Sequence, residues 1–370
     1  MDELVWKYRI SDKSDVASET RPQEDAEGNS YFGTHHGFVI SLSSSGEERW
    51  KFNTGSRKIF STPLLIGDVV ICVGSDAHVF ALHTKDGTPT WSTKLDERVI
   101  TGNAFLDSIL YWVNILLYPY KWHQRKITFC WATPVVRDGK LYLPSRGRGL
   151  FVLDVATGAL QKTIWLGYPS NHQSSPAKVG GTIFVISQRG RVYAIGENDT
   201  VRWSRKIFHR GSAVGGIGSD ATSVYVSSFL TKDRGTLARL NLNGECIWER
   251  SFDSGFRGTP IEYTDSSIVL YGSNGNLLEI AKKDGVIVRK LALYDYSGYG
   301  QWSIPLLHEG LLYVSTIISS DVGAVVIVNR DFSVLREIRA GKVLGTPMIS
   351  KGRIYFSSWD GYFRCYTLSQ

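Results

Sequence analysis

Residues 59–91 read Ile59-Phe60-Ser61-Thr62-Pro63-Leu64-Leu65-Ile66-Gly67-Asp68-Val69-Val70-Ile71-Cys72-Val73-Gly74-Ser75-Asp76-Ala77-His78-Val79-Phe80-Ala81-Leu82-His83-Thr84-Lys85-Asp86-Gly87-Thr88-Pro89-Thr90-Trp91. Three short apolar runs are separated by Gly67-Asp68, Gly74-Ser75-Asp76 and Lys85-Asp86-Gly87, and a fourth run begins at Trp91. Runs of that length, rich in Val, Ile and aromatic residues and bounded by Gly and Asp, are strands joined by hairpin turns. The stretch therefore predicts a meander of four antiparallel strands.

The phrasing recurs along the chain. Seven of the eleven prolines (Pro22, Pro63, Pro134, Pro176, Pro260, Pro305 and Pro347) stand at one position of the unit. A turn and a strand follow each, as in Gly139-Lys140-Leu141-Tyr142-Leu143 and Gly352-Arg353-Ile354-Tyr355-Phe356. A second Gly turn then leads to a third strand, and a last one to a strand bearing Trp, at the spacings Gly46 to Trp50, Gly87 to Trp91 and Gly244 to Trp248. The unit of about 40–45 residues is the size of a four-stranded propeller blade. Such a sheet cannot bury both faces alone, so blades stack radially and close into a ring. Proline suits the first position of an inner strand, where its missing N–H costs least. The fourth-strand Trp offers a flat face to dock on the neighbouring blade.

The chain ends predict the closure. The last unit stops at Cys365-Tyr366-Thr367-Leu368 without a Trp strand, whereas Val5-Trp6-Lys7-Tyr8 matches Arg49-Trp50-Lys51-Phe52. The N-terminal segment is thus expected to complete the last blade and leave no free edge. Eight units start near Pro22, Pro63, Pro134, Pro176, Gly215, Pro260, Pro305 and Pro347. The expected fold is an all-β, eight-bladed β-propeller of four-stranded antiparallel blades, one domain over 1–370. Nine blades is the alternative, because residues 100–131 read either as an aromatic insertion or as a degenerate blade.

Composition agrees. The 370 residues are 42 % apolar and 12 % aromatic with 37 Gly, which excludes a disordered chain and disfavours a helical bundle. The longest apolar stretch, 109–120, contains Asn114 and Pro119 and is too short for a bilayer, which needs about 20 residues. The start Met1-Asp2-Glu3 lacks the basic and apolar regions of an export signal. Cys72, Cys130, Cys246 and Cys365 are far apart with no CxxC pair, so free buried thiols are expected and no metal framework. These features suggest a monomeric cytoplasmic protein, with a mature exported chain as the alternative.

The units resemble the pyrroloquinoline quinone (PQQ)-like repeat β-propellers. The resemblance is carried by Ala81-Leu82, Val152-Leu153-Asp154-Val155-Ala156-Thr157-Gly158, Ala194-Ile195 and the three Gly-to-Trp spacings. That family includes quinoprotein dehydrogenases and also non-catalytic members, among them the lipoprotein scaffold class of bacterial outer-membrane assembly, which the chain resembles more. The dehydrogenases carry a vicinal disulfide, a Ca²⁺ held by carboxylate and amide oxygens, and a catalytic Asp. No Cys-Cys pair exists here, and the candidate oxygen ligands Asn103, Glu262 and Asp295 share no calcium-loop spacing. No cofactor is therefore expected, PQQ with calcium being the alternative. Gly211 to Gly218 lacks the Lys-Ser/Thr of a phosphate loop and reads as close backbone packing near the axis.

Propeller geometry puts the crossings between blades on one face together with the turns between second and third strands. That face collects Arg57, Arg98, Arg146, Arg148, Arg189, Arg210 and Arg257, along with Phe60, Trp131, Phe208, Phe256, Tyr299 and Trp302. A basic, aromatic funnel suits an acidic protein partner or an anionic small molecule, with acidic glycans as a further ligand class. Nucleic acid is disfavoured because no charged stripe with interleaved stacking residues is present. The expected function is a non-catalytic binding or scaffold protein. An enzyme using the same funnel is the alternative, either quinone-dependent or cofactor-free, with His172 or His209 as acid–base candidates. The adjacent His35 and His36 read as a solvated turn pair.

Overall fold

The computed structural model describes residues 3–11, 20–56, 58–95, 130–145, 149–166, 174–296 and 301–368. Among them the strands form eight four-stranded antiparallel sheets and no helix, each sheet a simple meander. The blades are numbered here by their inner strands, Gln23–Glu24, Leu64–Ile66, Val135–Arg137, Ala177–Val179, Gly218–Ser219, Ile261–Thr264, Leu306–His308 and Met348–Ser350. Each of the seven repeat prolines immediately precedes an inner strand. The stretch 100–131 falls outside the described residues except for Cys130 and Trp131.

The ring closes as expected. Leu4–Arg9 is the outer strand of blade 8 and pairs antiparallel with Tyr362–Thr367, Lys7 opposite Arg364 and Tyr8 opposite Phe363. Both ends of the chain thus share one sheet, and the ring cannot open without breaking a strand pair.

Apolar packing lies between blades. Phe32 and Ile40 of blade 1 meet Tyr355 and Phe363 of blade 8, Ile71 and Val79 of blade 2 meet Leu141 and Phe151 of blade 3, and six further clusters fill the other interfaces. Second and third strands are therefore apolar on both faces, as in Val69–Val73, while outer strands such as Pro89–Lys94 alternate with solvent. The Gly-rich stretch 211–218 serves close packing: a Cβ at Gly215 or Gly218 would lie 2.2 Å from the carbonyl oxygen of Gly258 or Pro260.

At seven of the eight interfaces a side chain of the outer strand also latches the blade to the next. Trp6, Trp50, Trp91, Trp203 and Trp248 lie flat on Gly46, Gly87, Gly158, Gly244 and Gly285 of the following blade. Their indole N–H groups donate to the carbonyls of Ser44, Thr84, Val155, Leu242 and Lys282 at 2.7–3.1 Å. Two latches use other chemistry. Between blades 3 and 4, Lys162 takes the Trp position and donates to the Asp199 carbonyl at 2.8 Å. Asp199 holds the glycine position with φ +56°. Between blades 6 and 7, Arg289 stands 4.9 Å from the Phe332 ring and donates to the Arg330 carbonyl at 2.7 Å.

The four cysteines are free: Cys72, Cys130 and Cys365 are buried and Cys246 is half-buried. Burial pushes all four thiols up, Cys365 to about 11.

Candidate functional site at the mouth of the axial channel

The crossings between blades descend towards the axis as extended chain, and their burial alternates. In residues 342–347, Lys342, Leu344 and Thr346 are half-buried while Val343, Gly345 and Pro347 are buried. Extended chain sends successive side chains to opposite sides, so buried positions pack between blades and half-buried ones face the axial channel. Two tiers result. The upper tier, three residues before each inner-strand proline, holds Phe60, Trp131, Arg257, Trp302 and Leu344. The lower tier, one residue before it, holds Thr62, Thr133, Ser175, Thr259, Ile304, Thr346 and Arg21.

Neighbours within a tier touch across blade boundaries. The Phe60 and Trp131 rings are 4.7 Å apart, and the Arg257 guanidinium lies 4.8 Å from Trp302 and 4.1 Å from Phe229. An arc extends outward from Phe60 through His35 at 5.1 Å to Trp359, 6.3 Å from His35. Lys342 covers Trp359 at 5.3 Å and Tyr296 at 6.0 Å. The mouth is thus lined by aromatic faces with cations set against them, contacts of roughly 0.5–2 kcal/mol each.

Three acids of this face, Asp76, Asp295 and Asp360, are already engaged. Burial would raise Asp76, but hydrogen bonds from Ser56 at 2.6 Å and Lys94 at 3.3 Å outweigh it and hold the carboxyl below its ordinary range. Asp360 behaves alike: Arg364 and Ser358 overcome its burial. Asp295 pairs with Lys232. Arg257 has no carboxylate partner among the described residues, its Nε is buried without an acceptor, and burial lowers its pKa.

Of the residues expected at this face, Arg257 and Trp302 are brought together. Arg189, His209 and Arg210 are exposed at the rim of blade 4 and on the crossing that follows it. Arg57, Arg98, Arg146, Arg148, His172 and Tyr299 lie outside the described residues. Phe208 and Phe256 do not line the mouth: they are 2 % and 0 % exposed and pack between blades. His35 is buried beside Phe60 rather than solvated. Arg21, Phe229 and Trp359 escaped the sequence reading, although their offsets from the repeat prolines and turn glycines were a usable signal.

The calcium alternative does not fit. Glu262 accepts from Lys282 and Asp295 pairs with Lys232, so lysines occupy the oxygens an ion would need. Asn103 lies outside the described residues. Among the described residues no three His, Cys, Asp or Glu side chains converge as a metal-binding group.

Residues 2–109 and 188–369 match the sequence model of a family described as outer membrane protein assembly factor BamB. A protein of that name from Salmonella typhimurium is 25 % identical over 361 residues, covering 90 % of this chain and 80 % of its own length. Among solved structures, BamB from Moraxella catarrhalis superposes with a TM-score of 0.72 at 15 % identity, covering all of this chain and 98 % of the other. The computationally designed Ika8 protein gives 0.69 at 10 % identity with complete coverage of both. At those identities the two structures speak for the fold alone. The family match overturns the expectation of a cytoplasmic protein, since the family is named for work at the outer membrane. That expectation rested on an acidic start and unpaired cysteines, and neither reports a compartment: thiols buried in different blade interfaces stay single in oxidising and reducing surroundings alike. The latched eight-blade ring and the sequence match over most of its length make this chain a member of the BamB family of outer membrane protein assembly factors.

Proposed function

We propose that the protein is a non-catalytic scaffold of the cell envelope that holds an acidic segment of a protein partner at the mouth of its axial channel. The observation that carries this reading is Arg257, whose charge is held between Phe229 and Trp302 with no carboxylate beside it among the described residues. A buried charge normally finds a counter-ion. One kept between aromatic faces, with no carboxylate bonded to it among the described residues, retains its attraction for an incoming carboxylate. Lys342 between Tyr296 and Trp359 repeats the arrangement. Aromatic and Arg side chains in a desolvated setting are also the residue types that dominate binding energy at protein interfaces. The family description, an assembly factor of outer membrane proteins, supports a binding role over a reaction.

The test is affinity capture from detergent-solubilised envelopes. The wild type should retain its partners, and an Arg257→Glu/Lys342→Glu double variant should lose them. Lys290→Glu, on an outer strand away from the mouth, serves as the control. Equal recovery by wild type and double variant would refute the reading.

A further inference from the structure

We propose that the throat below this mouth is a seat for a single carboxylate, held by the Arg21 guanidinium within a collar of serine and threonine hydroxyls. For the case in which a partner supplies that carboxylate, the inference rests on the binding role assigned above.

The collar is built by the repeat. The residue before the inner-strand proline is Thr62, Thr133, Ser175, Thr259 or Thr346 in five crossings, and Arg21 in the crossing that returns from blade 8 to blade 1. Neighbouring members are tied together: the Thr62 amide donates to the Thr133 hydroxyl at 2.9 Å, and the Thr133 amide donates to the Ser175 hydroxyl at 3.0 Å. A hydroxyl that accepts from an amide keeps its own proton to donate. Neither of these two has an acceptor for that proton among the described residues, so the collar offers donors to whatever enters.

Arg21 supplies the charge. Among the described residues no carboxylate or other acceptor is bonded to it, and its side chain is exposed to solvent. Its pKa is nevertheless lowered by desolvation. Arg21 stands between buried Thr20 and Pro22, one residue before the inner-strand proline like Thr62 and Thr346, so the alternation of the crossing turns it towards the channel.

The chemistry selects the ligand. One guanidinium balances one negative charge, and its planar fork matches the two oxygens of a carboxylate. A dianionic phosphate would leave a charge uncompensated in the throat. The carboxylate can come from an Asp or Glu side chain presented by a partner, or from a small free acid.

Purified full-length protein would be titrated with a short fluorescein-labelled peptide centred on one glutamate, and with its glutamine counterpart, reading anisotropy. The glutamate peptide should bind about tenfold tighter or better, as one charge-assisted contact implies. Arg21→Gln should abolish that preference at an unchanged melting temperature, Arg21→Lys should keep part of it, and Thr133→Val should weaken it. Sodium acetate that competes with the peptide shows that free acids share the seat. Acetate that raises the melting temperature of wild type but not of Arg21→Gln, without peptide binding, assigns the seat to small acids. A preference that survives in Arg21→Gln, or no response to either probe, overturns the inference. Capture lost in the Arg257/Lys342 variant, with the peptide preference untouched by Arg21→Gln, sinks the throat and spares the mouth. Capture unchanged, with the preference lost, does the reverse.

Discussion

Replacing Asp199 tests how the third and fourth blades are held together. Its carboxylate accepts from Arg137 Nη2 at 2.6 Å, from the Tyr142 hydroxyl at 2.5 Å and from Lys140 Nζ at 2.6 Å. The Arg137 side chain is 2 % exposed, whereas that of Lys140 is 33 % exposed and can rehydrate. Removing the carboxylate in Asp199→Ala therefore strands the guanidinium in the blade interface. Its other amino group still reaches the carbonyls of Gly181 and Ile195 at 2.7 and 3.2 Å, but of the described carboxylates only the solvent-exposed Asp138 then stays near it, 3.9 Å from Nε. Breaking a buried pair on one side costs about 3–5 kcal/mol. Asp199→Asn keeps an acceptor oxygen and, as a residue tolerant of positive φ, the backbone at +56°. It should cost about half as much, because charge-assisted bonds are roughly twice as strong as neutral ones. The assay is urea unfolding followed by tryptophan fluorescence, compared at equal slope.

The pH dependence supplies a second arm. Burial would raise the Asp199 carboxyl, but Lys140, Tyr142 and Arg137 together hold it below its ordinary 3.8. A carboxyl depressed in the folded state contributes stability that is full above its unfolded value and is lost as pH falls through the folded one. The gap between wild type and Asp199→Asn should therefore stay constant from neutral pH to about 5 and close below about 4. An Asp199→Ala cost under about 1 kcal/mol, or a gap that persists unchanged in acid, would refute the assignment of Arg137 as a charge dependent on Asp199.

Two further outcomes follow from the packing. Gly55→Ala, at φ +69° in open space, should cost about 1–2 kcal/mol from backbone strain alone. Gly87→Ala, at φ +72° with its Cβ 2.7 Å from the Trp50 ring, should exceed that by about 1–3 kcal/mol. Equal costs in chemical denaturation would show that the latch does not constrain the site. In native protein treated with iodoacetamide, mass spectrometry should find Cys246 modified first, because it alone of the four cysteines is not fully buried. Prior labelling of Cys72 would contradict the closed ring.

Much of the architecture was legible because the repeat is encoded locally. Each inner-strand proline, turn glycine and docking tryptophan performs its task within its own blade or the next, so a period of one blade reveals it. Closure was readable for the same reason, since Val5-Trp6-Lys7 repeats Arg49-Trp50-Lys51 and lacks a third strand of its own. The mouth was harder. Phe256 and Arg257 are adjacent in the chain, yet one packs between blades at 0 % exposure and the other faces the channel. Composition by loop treats them alike; only the alternation of the crossing separates them. His35 shows the same limit, because a turn histidine is buried only when Phe60 from another segment lies against it.

The sequence by itself determined an all-β ring of repeated blades, its closure by the first strand and the family to which it belongs. These follow from periodic local chemistry that does not depend on where the axis runs. The tertiary structure alone decided which cations are free to act. Asp76, Asp295 and Asp360 lie on the same face as the arginines and are bound by Lys94, Lys232 and Arg364, while Arg257 and Arg21 carry no carboxylate among the described residues. The reason is geometric. In a ring, side chains from different blades converge on one axis, and the charge left over there is set by contacts within a hairpin, as between Asp360 and Arg364, and by contacts between blades, as between Lys232 and Asp295.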